Sequence, residues 1–253
     1  MHPHFSEPQS IDDVIDALDQ IVEWSKKESS RVGYFAALYR KVTVAVKKGI
    51  EEGVYENGER MERLDVIFAN RYLTAFSAFQ NEQPLSDAWH HVFRCTHAWR
   101  PVVGQHMVLG INTHIGLDLG IAAAETMRDQ DIEALKQDFF KINDVLKSMI
   151  DEVEKDLAKI WWFLHIIDFV AGKLDEHLAR FGISYARDHA WKVATELSQC
   201  SHDQWEGKIG EIDQKVLGIG RVIQNPGVVG STMLFLIRLT EFYSVRRTIE
   251  ILS

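Results

Sequence analysis

The sequence predicts an all-α protein, a single-domain bundle of nine or ten helices. Three observations carry this expectation. Apolar residues recur at three and four spacing through most of the chain, and no stretch sustains the period-two alternation of a strand. No Asn-Gly or Asp-Gly turn joins two β-branched runs, and no linker rich in Gly, Ser or Pro divides the chain. With 253 residues, 46% of them hydrophobic, one large core can be filled, and residues 1–10 read as a flexible lead-in.

Ser10 is placed to cap a first helix whose stripe is Ile11, Val14, Ile15, Leu18, Ile21 and Val22. A second begins near Arg31, carries Phe35, Leu38, Tyr39, Val42 and Val46, and stops at Gly53 and the Asn57-Gly58 turn. The third, about Glu59 to Phe79, mixes charges into a densely apolar run. Asp65 there lies beside Met61, Phe68 and Tyr72, and Arg71 beside Leu64, Phe68 and Ala75, so neither can be wholly solvated. Being six apart, the two face different ways, and each is expected to meet a partner on another element. Ser86 caps a short helix with Trp89, Val92 and Phe93.

Pro101 opens the central helix, His106 to Glu125, which contains His106, Asn112, His114, Asp118 and Glu125 in an apolar setting. Its glycines, Gly104, Gly110, Gly116 and Gly120, suit a place where another backbone or a ligand comes close. Asp129 is expected to cap the longest amphipathic stretch, with Leu135, Phe139, Ile142 and Leu146 on its stripe and Asn143 turned to the core. Helices follow over 161–179, from Ser184 to Cys200 and from Ser201 to Ile223. Asn225-Pro226-Gly227 is a break, and a last helix runs from about Ser231 to Ile251. Met233 to Ile237 is apolar all round, which predicts burial on several sides, either at the centre of the domain or in a subunit interface, with a homodimer as the favoured reading.

A net charge of −9 argues against a nucleic-acid or anionic-membrane partner. No uninterrupted apolar run approaches ~20 residues, so no membrane span is expected. The start MHPHFSEPQS shows no signal peptide, and Cys95 and Cys200 form neither a disulfide framework nor a thiolate site, so a bacterial cytoplasmic protein is the simplest reading. Phosphate loops, dinucleotide fingerprints and nucleophile elbows are missing from the sequence.

His114 and Asp118, four apart on one helical face, are suitable ligands for zinc, iron or manganese. Asp65 is the first candidate to complete the shell, followed by His106, Glu62 and Glu125. The resulting expectation is a metal-dependent enzyme, a hydrolase using a metal-activated water, with Asp65 as ligand or base, Arg71 stabilising negative charge, and Asn112 and Asn143 on a bound group. The alternatives are a non-catalytic protein that binds an unknown small molecule or a partner, an internal polar network among His114, Asp118, Asn112, Asn143 and Arg71, and a dimetal oxidase.

MERLDVIFANRYL at 61–73 and QHMVLGINTHIGLDLGIA at 105–122, with DFFKINDVL at 138–146, resemble an uncharacterised bacterial all-helical family over most of the chain. The resemblance implies a single helical domain and marks Arg63, Asp65, Asn70, Arg71, His106, Asn112, His114 and Asp118 as motif positions. It supplies no activity. Gly116 stands where the family pattern tends to be polar. The His114-x3-Asp118 pair is also similar to one element of the all-helical zinc phospholipase C group, an analogy of chemistry.

Overall fold

A computed structural model describes residues 2–160 and 174–253, and among them there is no strand. The chain runs through α1 (Ile11–Glu28), α2 (Val32–Glu51), α3 (Gly58–Gln80) and α4 (Asp87–Thr96). A central rod follows, made of α5 (Val103–Thr113), a π-helical segment (His114–Leu119) and α6 (Gly120–Thr126). The remaining helices are α7 (Lys136–Ile160), α8 (Leu174–Ser198), α9 (Trp205–Gln224), α10 (Gly227–Arg238) and α11 (Val245–Leu252).

Local chemistry sets these boundaries. At α1 the Ser10 hydroxyl accepts from the Asp13 N–H at 3.2 Å and the Asp13 carboxylate accepts from the Ser10 N–H at 3.0 Å, a reciprocal capping box. Asn57 caps α3 and Ser86 caps α4 in the same sense, each accepting an N–H three residues on. Two further caps come from far away in sequence. Buried Asp213 on α9 accepts from the Asp87 and Ala88 N–H groups at the start of α4, at 2.8 and 3.0 Å. Buried Asp138 on α7 accepts from the Glu56 and Asn57 N–H groups at 2.7 and 3.1 Å and from Arg60 at 2.8 Å, at the head of α3.

The hairpin of α1 and α2 packs on α3 and α11, while α9 lies along α4 and α5, and α8 along α6. The main core gathers Phe35, Tyr72, Phe76, Trp89, Phe93 and Leu117; a second cluster centres on Met61, Leu119, Phe139 and Trp191. Two rod glycines are explained by close approach. A Cβ on Gly110 would lie 2.4 Å from the Phe35 ring, and one on Gly120 would lie 2.7 Å from the Ala190 carbonyl oxygen. The neighbours are a side chain and a backbone of the same chain.

Several boundaries differ from those expected. Asp131, not Asp129, starts the segment before α7, accepting from the Glu133 N–H at 3.0 Å; Asp129 sits in the turn at φ 63°. The expected last helix is two, because the chain turns after Arg238 and Ser244 caps α11. Met233 to Ile237 is not buried: α10 has no buried residue. The lead-in is docked, with Phe5 stacked on Phe76 and the Pro8 carbonyl accepting from Asn70 at 3.0 Å. Residues 161–173 of the helix expected over 161–179 lie outside the described residues. The continuous rod Val103–Thr126 is long and apolar enough to cross a membrane, contrary to the expectation from uninterrupted runs. Its most apolar 18-residue stretch is 72% buried inside the bundle, as in a core helix.

Candidate functional site

The π-helical turn at His114–Leu119 inserts an extra residue into the rod where the polar residues sit, a distortion of the kind that often marks functional positions. His114 Nδ1 lies 3.1 Å from Asp118 Oδ2. Because a carboxylate can only accept, the neutral ring carries its proton on Nδ1 and donates. Arg71 Nε donates to Asp118 Oδ1 at 2.9 Å, and the Trp89 indole N–H donates to Oδ2 at 2.8 Å. Three elements thus converge on one carboxylate, which is 1% exposed. Asp118 meets the condition for a buried charge, a cation plus hydrogen bonds on both oxygens.

His114 faces the core. Its ring stacks on Phe68 with centroids 3.6 Å apart and planes 8° from parallel, and Tyr39 meets it edge-on at 4.5 Å. Burial holds its pKa below the ordinary imidazole value even though Asp118 pulls the other way. Among the described residues Nε2 is buried without a hydrogen-bond partner, as are the Tyr39 and Tyr72 hydroxyls. The imidazole is therefore a neutral donor that fixes Asp118 from behind.

Above the carboxylate the surface opens. A cleft of about 600 Å³ is lined by Asp118, Trp89, Arg71, Arg63, Arg128 and Asn70 together with Glu7, Thr74, Ser86 and Glu125, over apolar patches from Ile67, Ala75 and Leu85. A smaller neighbouring cavity of about 370 Å³ shares Glu7, Arg63, Ile67 and Asn70 with it. Arg71 is the link between floor and cleft. Only Nε is engaged, and its two terminal nitrogens hold no hydrogen bond to the described residues. Arg128 pairs with Glu125 at 2.9 Å, whereas Arg63 has no ion-pair partner among the described residues.

The other expected site residues go elsewhere. Asp65 is buried, does not line the cleft, and leaves Oδ2 without a partner; burial first, and the charge of Glu62 second, raise its pKa to about 7. Among the described residues it meets no cation, against the expectation of a partner on another element. Its field acts on Tyr39 and Tyr55. His106 packs edge-on against Tyr34, and burial together with Arg31 and Arg238 lowers its pKa to about 3. Glu62 accepts from the Ile11 N–H at 3.2 Å, and Asn112 donates to the Val216 carbonyl at 3.1 Å as a tie between α5 and α9. The Asn143 carbonyl oxygen is buried without a partner, away from the cleft.

These placements bear on the zinc, iron or manganese site. Among the described residues no three His, Cys, Asp or Glu side chains lie close enough to share an ion. Asp118 already receives Arg71, Trp89 and His114, so a metal there would have to displace a guanidinium. The donor set of His114, Asp118, Asp65 and His106 does not fit a metal, and no chemistry is routed through one. The residues that sequence reasoning missed are Trp89 and Arg128, while Arg63 and Asn70 stand out in the sequence only as motif positions with no role. Trp89 read as a core aromatic, and only its indole N–H, unmatched by any local acceptor, pointed to a polar partner.

The fold and site define an all-helical bundle with a cleft floored by a buried arginine–carboxylate–imidazole chain. The chain belongs to DUF5995, a family of unknown function, whose model matches residues 11–226. Both motif strings and every cleft residue except Glu7 fall within that span. No curated protein and no solved structure matches the chain.

Proposed function

We propose that this protein binds a small anionic molecule in the cleft above Asp118, with Arg71 as the anchoring cation. The supporting observation is the way Arg71 is held: its Nε is fixed by a carboxylate that is itself locked by Trp89 and His114, and its terminal fork is left for a ligand. An arginine oriented in this way loses little freedom when it binds a carboxylate or phosphate, and planar bidentate recognition is what a guanidinium does best. Arg63 adds a positive charge at the rim with no ion-pair partner among the described residues, Arg128 a guanidinium shared with Glu125, and Asn70, Thr74 and Ser86 add hydrogen-bonding groups. The apolar patches favour a ligand with a hydrocarbon portion, and the volume falls in the range of small-molecule sites.

The reading is a binding site. His114 keeps its unprotonated nitrogen buried and without a hydrogen-bond partner among the described residues, so it is not placed to take a proton from a molecule in the cleft. The experiment is a thermal-shift and calorimetric panel of phosphate, phosphate monoesters and mono- and dicarboxylates. At least one anion is expected to bind, and Arg63→Gln together with Arg128→Gln is expected to weaken it tenfold or more without lowering the melting temperature of the free protein. Binding that is indifferent to both substitutions, or confined to neutral and cationic compounds, would refute the proposal.

A further inference from the structure

Helix α10 and the turn after it carry an anomaly that the cleft does not use. Val228, Val229, Met233, Leu236, Leu239 and Phe242 are each more than half exposed, Val228 reaching 86%. Together they present on the order of 700 Å² of largely apolar surface. The largest patch on an ordinary monomer is ~300–600 Å², and each side of a standard protein–protein interface contributes ~800 Å². Among the described residues α10 makes only sparse contact with other helices.

The helix is nevertheless held firmly at one end. Arg238 Nε donates to the Trp99 carbonyl at 2.7 Å, and its guanidinium lies over the Trp99 ring at 5.0 Å. Arg238 also pairs with Glu241 at 2.8 Å, and Glu241 in turn accepts from the Val103 N–H at 2.8 Å, at the start of the central rod. The apolar face is thus displayed on an anchor tied to the core.

We infer that this face is an interface between two copies of the chain, α10 pairing with its symmetry mate. The area is what one side of a stable dimer needs, and a two-fold axis lets one apolar patch cover its own copy. A lipid surface is the poorer occupant. An interfacial helix sets a basic face against its apolar one, whereas α10 between its ends carries no charged residue at all, and the chain is net −9.

The test is light scattering on the full chain at about 10 μM, alongside flotation with phosphatidylcholine/phosphatidylglycerol vesicles. The wild-type protein is expected at twice 29.0 kDa. The double variant Met233→Asp/Leu236→Asp and the single variant Phe242→Ser, which lies outside any helix, are each expected to dissociate it at least tenfold more readily. The control Val44→Asp, an exposed apolar residue on α2, is expected to leave the mass unchanged. Should the double variant fail to fold, Phe242→Ser carries the test alone. A wild-type mass of 29.0 kDa would overturn the inference. A dimer that survives the substitutions would place the interface elsewhere, and a monomer that floats with vesicles would assign the face to lipid.

Discussion

Replacing Asp65 with Asn should stabilise this protein at alkaline pH and destabilise it modestly in acid. The carboxyl is buried, faces no cation and has its pKa raised from 3.8 to about 7. A raised folded-state value means that between about pH 4 and 7 the native protein holds a proton the unfolded chain has released. The associated stability is therefore fully present below about pH 4 and is lost as pH rises through about 7. At 1.36 kcal/mol per tenfold change in proton affinity, the loss approaches about 4 kcal/mol at pH 8. Asn cannot ionise, although its amide also lacks a partner, which costs roughly 1–3 kcal/mol. The net gain for Asp65→Asn at pH 8 is then about 1–3 kcal/mol, and near pH 4, where only the amide cost remains, it turns into a loss of roughly 1–3 kcal/mol. Urea unfolding of both proteins at pH 4, 5, 6, 7 and 8 measures it, and taking the difference cancels all other titrating groups. If Asp65→Asn is destabilised by several kcal/mol at every pH, the carboxylate has a charge partner and the account of its burial is wrong.

Asp118→Asn should behave oppositely, costing roughly 3 kcal/mol at neutral pH, because it leaves Arg71 without its counter-ion and weakens the acceptor for Trp89 and His114; chemical denaturation would show it, and a loss under 1 kcal/mol would contradict the network. His106, whose pKa is lowered to about 3, stays neutral in the fold while the unfolded chain protonates below about 6.5, so its share of stability is present above that value and drains away as pH falls towards 3. His106→Gln should accordingly flatten the acid limb of the stability curve, and an unaltered limb would place the acid sensitivity elsewhere. Elemental analysis of untagged protein should find zinc, iron and manganese well below one equivalent, unchanged by His114→Ala; a stoichiometric ion lost in that variant would restore the metal-dependent hydrolase.

Much of the helical frame was legible because it rests on local signals. Ser10, Asn57 and Ser86 cap where their side chains can reach an N–H three residues on, and the stripes of α1 to α4 are regular. The His114–Asp118 pair was legible from i,i+4 spacing for the same reason, and it survives a π-helical turn that nothing in the pattern announced. What could not be read was what lay opposite each buried polar group. Arg71 and Asp65 look alike on one helix, yet Arg71 meets a carboxylate 47 positions away and Asp65 meets no cation among the described residues. His106 and His114 share a rod and an apolar setting, but one packs against Tyr34 and the other against Phe68 and Tyr39, a difference that spacing does not carry. The apolar run of α10 announced a need for cover, and only the fold shows the cover absent from the described chain.

The two caps supplied by Asp138 and Asp213 tie the order of assembly to distant sequence. Helix α4 begins on N–H groups whose acceptor arrives 125 and 126 residues later, and the head of α3 waits on a carboxylate 81 and 82 residues downstream. Neither start is complete until the later helix has docked. A nascent chain halted near residue 200 would have every apolar residue of α4 in hand yet leave its first amides open to water. The bundle should accordingly close late and as a unit, with long-range contacts slowing its folding relative to a bundle capped only by its own turns. Circular permutation or fragment complementation that cuts between α8 and α9 would have to restore the Asp213 cap before the amino-terminal half became rigid.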